Sequence, residues 1–227
     1  MKKYLLLLCT LAGIGTACTH SSEEEGAIDN RIIQTGFPFI ATYADLDGFY
    51  LYDDHPGFVR FRIVWGADQL TQYTKYYGDP NPEKYWEYVK KNDDLYWYSQ
   101  SGYGTCALGK SVVRITATTN GYYDAKHPAG SSLDDIMKVH VRTFAPFIDD
   151  KCRNPSDERV FGQYISKRLC DLTPEEGRLW DPYTLTLSID SENHTTSTER
   201  LQITVTILFD DGQEISRNHT MNEYYWN

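Results

Sequence analysis

The chain has 227 residues, with 22 Lys plus Arg against 32 Asp plus Glu and a formal net charge of −10 at pH 7. This acidic balance argues against a nucleic-acid-binding protein, which needs basic surfaces, and against docking on anionic lipid. The length permits one large domain or two small ones. The 18 tyrosines and the recurrent glycine and proline favour a mainly β fold over a helical bundle.

The first 25 residues, MKKYLLLLCTLAGIGTACTHSSEEE, have the pattern of a secretory signal. Two lysines precede an apolar run over residues 4–13, which is too short to span a bilayer, and small residues precede Cys18. In these residues the chain resembles bacterial lipoproteins, although Gly15 stands where that family usually has an aliphatic residue. The resemblance implies a signal peptide over residues 1–17 and lipidation of Cys18. Ordinary cleavage that leaves a free cysteine is the alternative.

Residues 18–30 are polar and acidic, with three consecutive glutamates at 23–25, and this composition predicts a solvated tether. An acidic run directly after a lipidated cysteine is also similar to the export signal of Bacteroidetes-type surface lipoproteins. The resemblance implies an outer-membrane protein held by its acyl anchor at the cell surface, or otherwise at the periplasmic face. The segment 122–136 and the general layout of the chain resemble uncharacterised lipoprotein domains of the same bacterial group, and this resemblance implies a domain of uncharacterised function over residues 31–227.

Strict alternation of apolar and polar residues predicts the strands, because successive side chains of a strand point to opposite faces. One apolar face and one wet face is the antiparallel pattern. The turn sequence Asp210-Asp211-Gly212 predicts a hairpin that leads into a short strand over 213–217. The alternating segments are FVRFRIVW (58–65), SVVRITATT (111–119), KVHVRTF (138–144), TLTLSID (184–190) and LQITVTILF (201–209).

Two helices are predicted. The first helix is predicted over the segment PEKYWEYVKKNDD, whose opening residues Pro82 and Glu83, with Pro80 just before, suit a helix start. The second helix is predicted from Ser156, which suits its N-terminal cap, to about Leu169. Neither alternates with strands as βαβ units would require. The sequence therefore predicts one antiparallel β-sandwich, immunoglobulin-like, with one or two short helical insertions. A division into two units near residues 149–155 is the alternative.

Residues 104–111, GTCALGKS, match the phosphate-binding pattern G-x-x-x-x-G-K-[ST]. That pattern works between a buried strand and a helix, whose N-terminus helps to hold the phosphates. Here a polar segment precedes the string and a β-branched, alternating segment follows it. The sequence therefore predicts a glycine-bearing loop and no nucleotide site.

The segment YYDAKHPAGSSLDDI (122–136) holds His127, two serines and two aspartates, which are the residue types of a hydrolase triad. It lacks the strand, sharp turn and helix that surround a G-x-S-x-G nucleophile. The predicted structure is a long crossover loop in which Ser and Asp side chains bond nearby amides. No catalytic residue is assigned.

Three cysteines remain after the signal region. Cys152 and Cys170 could form a disulfide outside the inner membrane, around the second predicted helix. Cys106 is then unpaired, and burial as a small apolar residue is favoured over a nucleophile because no nearby base is evident. No metal or cofactor is predicted. Acids at 45, 47, 53 and 54 lack the rest of a calcium loop, and the six histidines show no zinc spacing.

An aromatic-rich segment from Tyr73 to Tyr103 stands out from the rest of the chain, since it holds ten tyrosines and tryptophans. Such rings offer flat apolar area with a polar edge, which suits sugars or a protein partner, although some of them could instead cover the core. The predicted ligand-binding residues are Trp86, Tyr96, Trp97 and Tyr98.

The prediction for function is a surface-anchored, non-catalytic lipoprotein that binds a glycan or a protein partner, as an accessory to nutrient capture or adhesion. A secreted hydrolase is the first alternative, and it would need two carboxylates about 5 to 9.5 Å apart across a cleft. No motif pairs the acids of this chain. A structural subunit of a cell-surface assembly is the second alternative, and it would expose a strand edge.

Overall fold

The computed structural model describes residues 37–53, 60–66, 68–75, 80–97, 105–152, 162–189, 195 and 200–221. The described chain is mainly β, as predicted. Its helices are α1 (Pro82–Lys91) and α2 (Ala145–Asp149), and 3₁₀ turns lie at Leu169–Asp171, Pro174–Gly177 and Pro182–Thr184. The strands are β1 (Thr42–Leu46), β2 (Tyr50–Asp53), β3 (Arg60–Val64), β4 (Leu70–Thr74), β5 (Cys106–Leu108), β6 (Val112–Thr119), β7 (Met137–Thr143), β8 (Gln163–Arg168), β9 (Thr186–Ile189), β10 (Gln202–Phe209) and β11 (Glu214–Thr220).

The described strands form three sheets, ordered β2-β3-β9-β7-β8, β11-β10-β6 and β4-β1-β5. All pairs are antiparallel except β1 with β5, which run parallel. The mainly antiparallel β-sandwich architecture is confirmed. The immunoglobulin-like version of it is not confirmed, because a third sheet containing the parallel pair stands beside the other two.

The sandwich core lies between the five-stranded sheet and the sheet of β11, β10 and β6. Alternate residues of the predicted strands enter it, including Phe61, Val139 and Val205, and the Phe61 ring lies 5.0 Å from the His219 ring of β11. The predicted hairpin at residues 210–212 is present, with Gly212 at φ +86°. Val113 is only half-buried, contrary to the alternation, because the register of β6 against β10 shifts near Phe209.

A second cluster, here called the aromatic cluster, is formed by residues 37–43, α1, residues 94–97 and α2. α1 begins as predicted: the Asn81 side chain accepts the Lys84 N–H at 3.2 Å, and Glu83 lies in the first turn. Its inner face places Tyr85, Tyr88 and Val89 in the aromatic cluster. Among the described helices, none has the length and apolar character that a membrane span requires.

The second predicted helix is wrong over its C-terminal part. Residues 163–168 form the edge strand β8, which pairs with β7 from Thr143↔Gln163 to Lys138↔Arg168, and residues 156–161 lie outside the described residues. Pairing with a neighbouring strand outweighs the helical spacing of the apolar residues. The division of the chain near residues 149–155 stays a prediction. The structure describes this stretch only as far as Cys152, which packs in the aromatic cluster.

Candidate functional site

Trp97, one of the four predicted ligand-binding residues, has a fully buried side chain. It packs edge-on against the rings of Phe39 (5.2 Å between centroids) and Phe147 (5.9 Å). The backbone explains the placement, since the Trp97 N–H donates to the Phe37 carbonyl at 2.9 Å and holds this segment on the N-terminal part of the domain.

The other predicted ligand-binding residues are not brought together into a pocket. Tyr96 is half-buried, with the Lys151 ammonium 4.2 Å from the centre of its ring. Trp86 is 44% exposed on the outer face of α1 and touches Tyr85 edge-to-face. Tyr98 lies outside the described residues. Of the four, Trp86 is therefore the one with a ring that the structure shows open to a ligand.

Two buried carboxylates hold the aromatic cluster together. Asp94 accepts the backbone N–H groups of Phe39 (2.8 Å) and Ile40 (3.0 Å) and the Tyr43 hydroxyl (3.0 Å). Burial raises the pKa of Asp94 to about 6, against the lowering effect of these donors. Asp45 likewise accepts the Tyr88 hydroxyl at 2.5 Å. These tyrosine hydroxyls are bound internally, so their rings belong to the core.

An aromatic pocket lies elsewhere, where the end of β3 meets β4 and the 3₁₀ turn at Pro182–Thr184. We call it the Trp65 pocket. The rings of Trp65 and Tyr183 form its walls, 5.5 Å apart between centroids and inclined by 59°. Leu70 closes one side, and the amide of Gln72 donates to the Tyr183 hydroxyl at 2.9 Å. The cavity is about 340 Å³, within the usual range of small-molecule sites.

The Trp65 pocket is uncharged. Its lining, among the residues that the structure describes, consists of Trp65, Gly66, Leu70, Gln72 and Tyr183, with no carboxylate and no cation. Burial raises the pKa of the Tyr183 hydroxyl, so this group is a neutral donor and acceptor. Because it already accepts the Gln72 N–H, its own proton is directed to other acceptors. The Tyr183 ring is 59% exposed and offers a face for stacking.

The segment 122–136 forms a second cavity, of about 370 Å³, around His127. The imidazole of His127 is buried and bonds Asp124 through Nδ1 (2.7 Å) and Asp135 through Nε2 (3.0 Å). Burial lowers the pKa of His127, but the two carboxylates outweigh it and raise the pKa above its usual value. The pKa of Asp124 is held below its usual range by His127 and by two backbone N–H groups, against the effect of burial.

This arrangement cannot work as a Ser-His-Asp triad. Both ring nitrogens of His127 are occupied by carboxylates, so neither is left to take a proton from a serine. Ser132 uses its hydroxyl to accept the Asp134 N–H at 3.0 Å. The imidazole also fills the space between the two carboxylates, where a glycosidase would hold its substrate bond. The cluster fits the predicted crossover loop, tied down by its own side chains.

Of the GTCALGKS string, residues 106–108 form the short strand β5, where a loop was predicted, and residues 109–111 form the loop that leads into strand β6 rather than into a helix. Lys110 is held by Asp211 (2.8 Å) and Gln213 (2.6 Å) of the neighbouring hairpin. A side chain at Gly109 would lie 2.4 Å from the Tyr88 ring, so this glycine permits a close packing contact. These contacts give both residues structural roles that need no phosphate.

The predicted disulfide between Cys152 and Cys170 is not formed, and both residues are free thiols. Cys152 is buried in the aromatic cluster, whereas Cys170 is exposed on the 3₁₀ turn after β8. Strand β8, which stands where the C-terminal part of the second helix was predicted, leads directly into the 3₁₀ turn that contains Cys170. Cys106 is buried in the sandwich core, where burial raises the pKa of its thiol to about 12.

Two of the four acidic residues considered for a calcium loop, Asp45 and Asp47, make contacts within the fold. Asp45 binds tyrosine hydroxyls, and Asp47 accepts the Thr71 hydroxyl at 3.0 Å. In the described ranges, no group of three or more His, Cys, Asp and Glu side chains is placed to hold a metal ion.

No protein-family model, curated protein or solved structure matches the chain.

Proposed function

We propose that the protein is a non-catalytic, lipid-anchored surface protein that binds a neutral glycan in the Trp65 pocket. The observation that supports this most is the lining of that pocket: two aromatic rings, an amide and a hydroxyl, with no charged group among the described residues. Sugars present apolar C–H faces that stack on rings and hydroxyls that need donors and acceptors.

The inclination of the two rings limits how a sugar can enter. Since the planes of Trp65 and Tyr183 meet at 59°, they form a corner rather than a slot, and one ring can stack while the other borders the sugar. The Tyr183 face is the more exposed and is the proposed stacking platform. The Gln72 carbonyl and the Tyr183 hydroxyl would then bond sugar hydroxyls at the rim.

We propose a binding role rather than a hydrolase because of where the acidic residues lie. The Trp65 pocket has no carboxylate among its described lining residues, and the acids around the second cavity are engaged by His127. Placement at the surface rests on the N-terminal pattern, in which a short apolar run ends at Cys18 and an acidic segment follows.

The test is a neutral-glycan array with the full chain purified in a non-ionic detergent. Trp65→Ala and Tyr183→Ala should each lower binding by about tenfold or more, because each removes a ring worth about 1 to 2 kcal/mol of contact. Trp86→Ala is the matched control: it removes an exposed tryptophan of the predicted aromatic segment and should leave binding unchanged. Circular dichroism confirms that each variant is folded.

Loss of binding in Trp86→Ala with retention in Trp65→Ala would contradict the pocket assignment and return the site to the aromatic-rich segment. If the intact chain binds no neutral glycan, the proposed class of ligand is contradicted and a protein partner is favoured instead.

A further inference from the structure

The wall that Tyr183 gives to the Trp65 pocket is only partly fixed by packing, because the residue is 59% exposed. Tyr183 lies in the middle of the three-residue 3₁₀ turn at Pro182–Thr184, and a turn this short has few hydrogen bonds of its own. The position of the ring therefore depends on the contacts that hold the turn in place.

Asp181 precedes this turn and caps it. Its carboxylate oxygen Oδ1 accepts the backbone N–H of Tyr183 at 3.0 Å, which satisfies a donor that a helical turn leaves unpaired at its start. Its backbone carbonyl accepts the Thr184 N–H at 3.1 Å and the Thr184 hydroxyl at 3.0 Å. Asp181 thus holds the two residues that follow Pro182 with its side chain and its backbone together.

Strand β7 fixes Asp181 itself. The Asp181 N–H donates to the Arg142 carbonyl at 2.8 Å, and the Arg142 N–H donates to the Thr184 hydroxyl at 2.9 Å. The second carboxylate oxygen, Oδ2, accepts the Arg142 Nε–H at 3.1 Å and also an N–H of Nη2. Asp181 is buried, and a buried carboxylate with a charged partner and both oxygens bonded has little freedom to move.

The hydroxyl end of Tyr183 is held from a different sheet. It accepts the Gln72 N–H of β4, which belongs to the β4-β1-β5 sheet, whereas β7 belongs to the five-stranded sheet. This double attachment does not serve to bury the ring, because the ring stays mostly exposed. It keeps the ring and the hydroxyl in one place before a ligand arrives, which lowers the ordering cost of binding.

We propose that Asp181 is a positioning residue of the Trp65 pocket, which holds Tyr183 at a fixed angle to Trp65 and thereby sets the specificity of the site. The inference rests on the proposed function, since it takes the pocket to be a glycan site. A fixed hydroxyl and a fixed amide favour sugars that pair with both groups and reject sugars that leave either group unpaired. A mobile Tyr183 would bind sugars more weakly and discriminate less between them.

The test variant is Asp181→Asn, in the full chain purified in a non-ionic detergent. An amide has one oxygen, so it cannot accept both the Tyr183 N–H and the Arg142 guanidinium. NMR of tyrosine-labelled protein without glycan follows the Tyr183 ring, whose signal is identified by its absence in Tyr183→Phe. We expect Asp181→Asn to shift or broaden this signal.

On the neutral-glycan array, Asp181→Asn should lower the affinity by about tenfold, which is the size expected when one buried polar contact is lost. It should also narrow the difference between strongly and weakly bound glycans. In the Tyr183→Ala background the same substitution should cause no further loss of binding, because its effect passes through Tyr183.

The matched control is Asp149→Asn, which makes the same change in the exposed pair of Asp149 with Arg178, outside the pocket lining that the structure describes. It should leave the Tyr183 signal and the array profile unchanged. Circular dichroism checks the fold of each variant. If Asp181→Asn does not fold, Arg142→Gln takes its place: it loosens the hold on Asp181 but leaves the cap, so a smaller shift of the same signal is expected.

An unchanged Tyr183 signal in the folded variant would overturn the proposal, because Asp181 would then not fix the ring. A loss of binding in the Tyr183→Ala background as large as in the native chain would also overturn it, since Asp181 would then act by another route. If the intact chain binds no neutral glycan, the proposed function fails, and the NMR comparison still decides whether Asp181 holds Tyr183.

Discussion

The sandwich core and the aromatic cluster are stabilised by different means. The sandwich core is formed largely by aliphatic side chains that alternate along strands, such as Val205 and Ile207 of β10. The aromatic cluster is formed by large rings around buried carboxylates, and its contacts join residues as far apart in sequence as Phe39 and Asp94. The comparison shows that a segment rich in tyrosine and tryptophan can be a second core rather than a binding surface.

The largest expected effect is on the free energy of unfolding, which should fall much more when a core tryptophan is removed than when a pocket tryptophan is removed. Trp97→Ala should lower the free energy of unfolding by about 3 to 5 kcal/mol, because it opens a cavity in the aromatic cluster. Trp65→Ala should lower it by about 1 to 2 kcal/mol, because that ring is only half-buried. Urea unfolding followed by far-UV circular dichroism measures both. Equal values would mean that the two tryptophans are equivalent, and the separation of core from pocket would be lost.

The next effect tests the carboxylate that holds the aromatic cluster. Asp94→Asn should destabilise the protein by about 2 to 3 kcal/mol, because the amide nitrogen replaces an oxygen that accepts backbone N–H and hydroxyl groups. Asp93→Asn, at the neighbouring exposed acid paired with Lys151, should change the stability by less than about 1 kcal/mol. Urea titration measures the stability of both variants. Similar losses of stability would show that Asp94 contributes no more to the fold than the exposed Asp93 does.

A pH-dependent effect is expected at the loop around His127. The raised pKa of His127 stabilises the fold below its unfolded value of 6.5, and this contribution is lost as the pH rises through the folded value. The lowered pKa of Asp124 stabilises the fold above its unfolded value of 3.8, and this contribution is lost as the pH falls. The cluster is therefore most stabilising between these two values.

Urea unfolding midpoints measured at several pH values test whether the cluster around His127 stabilises the fold most between pH 3.8 and 6.5. His127→Gln should differ most from the native chain near pH 5.5, between those two values, and the difference should shrink at alkaline pH. A difference that stays constant with pH would indicate that His127 is not charged in the folded state.

The smallest expected effect concerns the cysteines. Cys170→Ser should change the stability by less than about 0.5 kcal/mol without reductant, because the thiol is exposed and unpaired. A disulfide to Cys152 would instead make the loss about 3 kcal/mol. Repeating the measurement with reductant supplies the control, since only a disulfide would make the native chain sensitive to it.

The sandwich strands could be predicted because the alternation of apolar and polar residues that specifies each strand lies within its own segment. Alternation in residues 201–209 alone places Val205 and Ile207 inside, and the turn after Phe209 fixes the hairpin. The edge strand β8 could not be predicted in the same way, since its conformation comes from pairing with β7 and its own apolar residues also suit a helix. The parallel pair β1 and β5 joins segments about sixty residues apart, which no local pattern reports.

The Trp65 pocket was missed because its parts come from distant segments. Trp65 ends the predicted strand of residues 58–65, whereas Tyr183 lies in a 3₁₀ turn more than a hundred residues later. The one local clue was an aromatic residue beside a proline, at Pro182-Tyr183, in a turn that could expose the ring. The density of rings in residues 73–103 was the stronger pattern and gave the predicted ligand-binding residues, whereas the structure places Tyr85, Tyr88 and Trp97 of this segment in a core.

The most direct test of the Trp65 pocket is an NMR titration of the indole N–H groups in tryptophan-labelled full chain, with the best-bound neutral glycan of the array. The chain has five tryptophans, so five indole signals are expected. The account predicts that the signal abolished by Trp65→Phe shifts, while the signals of buried Trp97 and Trp180 stay in place. A shift confined to the signal abolished by Trp86→Phe would contradict it.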